Sequence, residues 1–252
     1  MSKLKTKLIT IISSLIRRRT LKGLQPKGVA RRNKMLLAAI QLFLEQGYEK
    51  TTTAQISKAA GMSPTSFFAA FENKEALLLT LTKIMFENQF SKAKSFAGEI
   101  EPLMIYCLET SLQIYITELS EPLRDIYVMA YTLPSTSEYI YKSTSAQIKA
   151  IFSQFMPSAE DKDFYEIDIA SASVMRGFMA KPSDMYFTVQ KKIRRFLECS
   201  LKLYDVPKEK RESMIEAVLA FDLNSVARKL IDEIITKAET GLEKAIEGNS
   251  EE

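Results

Sequence analysis

Eight prolines punctuate the 252-residue chain, and the stretches between most of them are of helix length. Pro102, Pro122, Pro134, Pro157, Pro182 and Pro207 fall at junctions between segments whose apolar residues recur at i, i+3, i+4. Proline inside a helix removes a hydrogen bond and collides with the preceding turn, so it marks starts and stops. Few residues alternate apolar with polar, which leaves little material for strands. An all-α class follows. The spacing predicts helices over 101–119, 122–133, 138–156, 161–180, 184–204 and 208–246, the last broken near Asp222-Leu223-Asn224.

Composition narrows the chemistry. The chain has no histidine and no tryptophan, so the commonest general base and the commonest metal ligand are both missing. No Ser/His/Asp set, metal-ligand spacing or phosphate-binding loop is present, so neither an enzyme nor a cofactor is expected. Cys107 and Cys199 cannot make a disulfide framework, which fits a reduced, cytoplasmic setting, and both are expected to be buried and inert. No apolar run approaches the ~18–20 residues a membrane-spanning helix needs.

The charge is sharply divided. Residues 1–34 hold eleven Lys/Arg and no acid, and the remaining 24 basic residues face 31 acidic ones. A polyanion met at one end of the molecule is expected, with nucleic acid and membrane surface both candidates. Leu4 to about Arg19 reads as a basic amphipathic helix with Leu8, Ile11, Ile12 and Leu15 on one side. It imitates a signal peptide, but the apolar part is short and lacks a small-residue cleavage site.

Beyond a linker read at Gln25-Pro26-Lys27-Gly28, Arg31–Gln46 is predicted to be a helix that Gly47 stops. Thr52-x-x-Gln55 is a capping box opening a second helix to Ala60. Gly61-Met62-Ser63 then forms a tight turn, and Ser63-Pro64 opens a short helix to Phe71. Phe67 and Phe71, four apart, share a face and should anchor that helix. Phe68 is either exposed or packed on the first helix. Asn73 should cap a longer helix to about Phe90, with Glu75 where the helix dipole favours an acid. Two helices joined by a three-residue glycine turn and packed on a third form a helix-turn-helix.

Residues 31–79 resemble the N-terminal domain of the tetracycline-repressor (TetR) family. The resemblance rests on Arg31-Arg32, Ala38-Ala39, Leu42-Phe43, Glu45, Gly47-Tyr48, Thr51-Thr52, Ile56-Ser57, Ala60-Gly61, Ser63, Phe67-Phe68, Phe71 and Lys74-Glu75-Ala76-Leu77. It implies a double-stranded DNA operator as partner, with contacts from Arg31, Arg32, Thr51, Thr52, Ser63, Pro64, Thr65, Ser66, Phe68, Ala69 and Lys74. Three positions depart from the family pattern. Thr65 stands where glycine is common, Phe68 where tyrosine is common, and Ala70 where histidine or tyrosine is frequent. The reading helix therefore has no Arg, Lys, Asn or Gln to make a bidentate base contact.

The remaining chain matches the family only in being helical. By resemblance it would house an effector cavity among residues 101–180, and Tyr106, Met129, Tyr131, Tyr139, Met175 and Phe178 are its candidate lining. Arg124 and Arg176, set in apolar stretches, suit a salt bridge better than an anionic ligand. Homodimerisation is expected through residues 161–180 and 184–204, with Ile169, Ser173 and Arg176-Gly177 on one seam and Phe196, Ser200 and Leu203 on the other.

The expected organisation is a basic extension (1–26), a helix-turn-helix domain (27–75), a regulatory and dimerisation domain (76–247) and a polar tail (248–252). The function expected is a repressor released from its operator by a small apolar effector. The alternative is a protein that binds a membrane surface or a partner helix through its basic N-terminus.

Overall fold

The computed structural model describes residues 26–97 and 101–227. The amphipathic segment at Leu4–Arg19 and the polar tail lie outside the described residues. Among those described, every regular element is a helix. The described residues divide into two compact units, one holding residues 26–84 with Ala227, the other Met85–Val226.

The first unit contains α1 (Pro26–Gln46), α2 (Thr53–Ala59), α3 (Pro64–Phe68) and the start of α4 (Lys74–Ala97). The linker read at Gln25–Gly28 is corrected: Pro26 opens α1. Proline at a first helical position gives up only an N–H that would have no partner there. Met35, Leu36, Ala39, Ile40 and Phe43 form the buried stripe of α1, the width a core-facing helix requires. Gly47 ends it at φ 86°, with its N–H on Phe43 O at 3.0 Å. Ile56, Phe67, Phe71, Leu77, Leu78 and Leu81 complete this core.

The second unit is built round α5 (Pro102–Leu119). It packs against α6 (Glu121–Ala130), α7 (Pro134–Phe152), α8 (Asp161–Ala180), α9 (Val189–Leu203) and α10 (Lys208–Ala220). A helix surrounded on all sides should be apolar all round, and α5 is buried over most of its length. Thr110, Ser111 and Thr117 are tolerated inside because each hydroxyl donates to a carbonyl of its own helix. Prolines 102 and 122 sit in first turns, as their spacing predicted, and Pro134 does so in a helix that was expected to start later.

Several boundaries shift. α7 begins at Pro134 rather than 138 and ends four residues sooner. α9 starts at Val189, because Asp184 turns the preceding loop by accepting the Tyr186 and Phe187 N–H groups at 2.9 and 2.8 Å. α10 stops at Ala220, where Phe221 is extended, and the chain is helical again from Leu223.

One polar cluster locks this unit. Lys192, with 0% of its side chain exposed, bonds Glu118 and the Lys181 carbonyl. Glu118 also pairs with Arg124 at 3.4 Å and accepts the Ser183 N–H at 3.1 Å. A lysine buried this completely is stable only when its charge is answered. Phe196 and Ser200 are fully buried within the unit, whereas Ser173, Gly177 and Leu203 are exposed. Cys107 is buried as expected, but Cys199 is partly accessible.

Candidate nucleic-acid interface

Local chemistry in the first unit sets α2 and α3 at a fixed turn. The capping box is present in full: Gln55 N donates to Thr52 Oγ1 at 3.2 Å, and Thr52 N donates to Gln55 Oε1 at 2.8 Å. At its other end α2 closes with the Met62 N–H on Ser57 O at 2.9 Å and the Gly61 N–H on Lys58 O at 3.0 Å. That pair of bonds needs a left-handed residue between them, and Gly61 supplies it at φ 69°.

α3 is shorter than the sequence suggested and ends at Phe68 rather than Phe71. Ser63 precedes its first residue in an extended conformation, but its hydroxyl does not cap the helix. Instead Ser63 Oγ shares hydrogen bonds with Thr65 Oγ1 and Ser66 Oγ, both at 2.9 Å. The exposed edge of α3 comprises Pro64, Thr65, Phe68 and Ala69, with Phe68 62% exposed. Phe67 and Phe71 are sealed beneath, their ring centres 5.9 Å apart. Hydroxyls and apolar groups thus form the edge of α3, and no charged side chain does.

The cations expected at this surface fall into two sets. Arg31 is exposed. Arg32 instead donates from Nη1 to Ala70 O at 2.7 Å and from Nη2 to Thr80 Oγ1 at 2.9 Å, with its guanidinium 4.2 Å from the centre of the Phe71 ring. Lys74 donates to Tyr48 O at 2.9 Å and Thr51 O at 3.0 Å. Burial lowers its amine below the ordinary lysine value, with Glu49 opposing. Thr51 is itself buried, its hydroxyl donating to Gly47 O at 2.8 Å. Thr52, by contrast, is exposed at the start of α2. The exposed lysines Lys34, Lys50 and Lys58 on the same unit were not singled out from the sequence, because a lysine at an exposed helix or loop position carries no spacing signal.

The second unit holds a cavity of about 30 Å³. Tyr106, Tyr131 and Met175, expected from the sequence, line it; Met129, Tyr139 and Phe178 are not in its lining. Phe178 pairs with Phe187 at 5.4 Å instead. Two buried carboxyls, Glu109 and Asp168, line the cavity as well and were not anticipated. Asp168 accepts Thr144 Oγ1 at 2.6 Å and Tyr204 OH at 3.4 Å, and burial still pushes its carboxyl up to about 6. The Tyr106 hydroxyl belongs to a triangle with Ser171 and Ser200 at 3.1 and 2.5 Å. Tyr131 donates to Gln113 Oε1 at 2.8 Å.

Comparison with known proteins places the first unit. Residues 35–81 match the family described as bacterial regulatory proteins, tetR family. The HTH-type transcriptional regulator TcmR of Streptomyces glaucescens is 42% identical over 59 residues, which is 23% of this chain and 26% of TcmR. The uncharacterized HTH-type transcriptional regulator YvkB of Bacillus subtilis (strain 168) is 35% identical over 69 residues, 27% of this chain and 36% of YvkB. The chain therefore matches about a quarter to a third of the length of these relatives. SmeT, described as the repressor of the Stenotrophomonas maltophilia multidrug efflux pump SmeDEF, aligns with a TM-score of 0.50 at 15% identity. The alignment covers 68% of this chain and 88% of SmeT. At that identity the likeness is one of fold. Residues 35–81 thus carry the helix-turn-helix domain of the tetR family of bacterial regulatory proteins.

Proposed function

We propose that the chain is a ligand-responsive repressor. It binds a pseudo-palindromic double-stranded DNA operator as a homodimer and leaves it when a small apolar effector enters the second unit. The observation that carries this reading is the exposed edge of α3, where Thr65, Phe68 and Ala69 face solvent above a sealed Phe67 and Phe71. The match of residues 35–81 to the tetR family of bacterial regulatory proteins supports it.

A five-residue helix is about 7 Å long at 1.5 Å per residue, enough for only a few base pairs. Useful affinity then requires two copies on symmetric half-sites about one helical turn apart. Phe68 and Ala69 suit thymine methyl groups, and Thr65 suits a base-edge hydrogen bond, while DNA shape supplies further selectivity. Phosphates would be met by Arg31 and by Lys34, Lys50 and Lys58. Arg32 and Lys74 act as positioning residues, since each is already bonded inside the unit.

Sedimentation of the full chain at micromolar concentration, without DNA, tests the dimer, and a purely monomeric particle overturns it. Repeating the measurement with a bound duplex should give two chains per operator. For the effector, linkage demands that operator and effector weaken each other by the same factor. Equal effector affinity with and without operator excludes the coupling while leaving DNA binding intact.

A further inference from the structure

The cavity of the second unit contains a carboxylate that no described residue answers. Glu109 lies midway along α5 and is 2% exposed, yet neither of its oxygens has a hydrogen-bond partner. Burial pushes its carboxyl well above the usual range, and no cation among the described residues offsets that. The hydroxyls around it are committed elsewhere. Tyr131 donates to Gln113, Thr110 to its own helix, and Thr144 to Asp168. Tyr106 is held in the triangle with Ser171 and Ser200. Asp168, the other acid of the cavity, differs because two hydroxyls already serve its oxygens.

A buried acceptor pair without donors is complementary to a ligand that brings donors and a positive charge. The rest of the lining agrees with that chemistry. Phe86, Tyr106 and Tyr131 border the same space, and aromatic rings attract cations while giving a hydrocarbon skeleton an apolar surface. A volume of about 30 Å³ holds about two water-sized groups, which matches an ammonium head and its first carbon rather than a whole drug-sized molecule.

We propose that this cavity takes the ammonium head of a small organic amine, whose N–H groups donate to the Glu109 carboxylate beside the Phe86 and Tyr131 rings. The assignment deepens the effector reading and rests on it only for the regulatory consequence. A small amine thus replaces a wholly apolar effector.

The test is calorimetric titration of the full chain with methylammonium chloride and with methanol, which has nearly the same shape without the charge. The ammonium should bind about tenfold or more tightly, the size of one charge-assisted contact. Glu109→Gln should bring the two affinities together, and Asp168→Asn should leave the preference standing. Equal affinities in the unmodified chain, or no heat with the ammonium at millimolar concentration, overturn the proposal. So does a preference that survives Glu109→Gln. Should Glu109→Gln fail to fold, Glu109→Asp keeps the charge and must keep the preference; losing it in a folded protein overturns the assignment. If the ammonium binds through Glu109 without changing the affinity for operator DNA, the effector reading fails and the amine site stands.

Discussion

Lys74 Nζ sits 4.1 Å from the centre of the Tyr48 ring while donating to the Tyr48 and Thr51 carbonyls. The first turn of α4 is thereby tied to the loop between α1 and α2. A lysine expected to reach for phosphate thus also braces the frame of this unit.

Lys74→Met removes the charge and both hydrogen bonds while keeping much of the stem. It should lower the stability of the first unit by about 2 kcal/mol, the range for hydrogen bonds to a charged group. Chemical denaturation followed by a probe in this unit measures it. Unchanged stability with weakened DNA binding would instead return Lys74 to the phosphate-contact role.

Gly61→Ala tests the turn. An added Cβ meets nothing within 4 Å, so the cost comes only from holding alanine at φ 69°. A loss of about 1–2 kcal/mol is expected, read as a lower midpoint in urea. A neutral substitution would mean that the two closing bonds at Met62 and Gly61 do not require a left-handed residue.

Phe68→Ala should separate contact from packing. The side chain is 62% exposed and touches the buried Phe67 ring edge-on at 5.5 Å. Its removal should change stability by less than about 0.5 kcal/mol, as for surface positions, while weakening operator binding severalfold. Phe67→Ala, in contrast, empties a fully buried site and should cost about 3–5 kcal/mol. Equal melting losses in the two variants would contradict this division.

How much of this was legible follows from what spacing encodes. Thr52 and Gln55 were readable as a cap because two complementary side chains three residues apart have one favourable use, and both bonds are present. The α8 boundaries were readable too, since Asp163 reaches back to the Glu160 N–H at 2.7 Å and Pro182 lies just beyond the end. Pro26 misled because proline serves equally in a linker and at a first helical position. α3 ended early because Asn73 takes the N–H of Ala76 at 2.8 Å and starts α4 close behind it. Glu109, Asp168 and Lys192 were invisible for another reason. A lone charge on an apolar helix looks the same whether it faces solvent, a cavity or an opposite charge.

Asp168 gives the second unit a pH dependence of known sign. Its folded carboxyl is raised from 3.8 to about 6, first by burial and against the Thr144 and Tyr204 hydrogen bonds. The unfolded chain therefore releases this proton at lower pH than the folded one, so stability falls as pH rises from about 4 to about 6. The full effect is on the order of 2–3 kcal/mol. Asp168→Asn should remove that slope, seen as the difference between variant and unmodified unfolding free energies at each pH. A difference that stays constant from pH 4 to pH 7 would show that Asp168 ionises as freely in the folded chain as in the unfolded one.

The most direct measurement is selection of bound sequences from random double-stranded DNA by the full chain. An inverted repeat is expected, with half-sites about one helical turn apart and thymines at positions facing Phe68 and Ala69. Recovering only single, asymmetric sites, or no enriched sequence at all, would contradict symmetric operator recognition by α3.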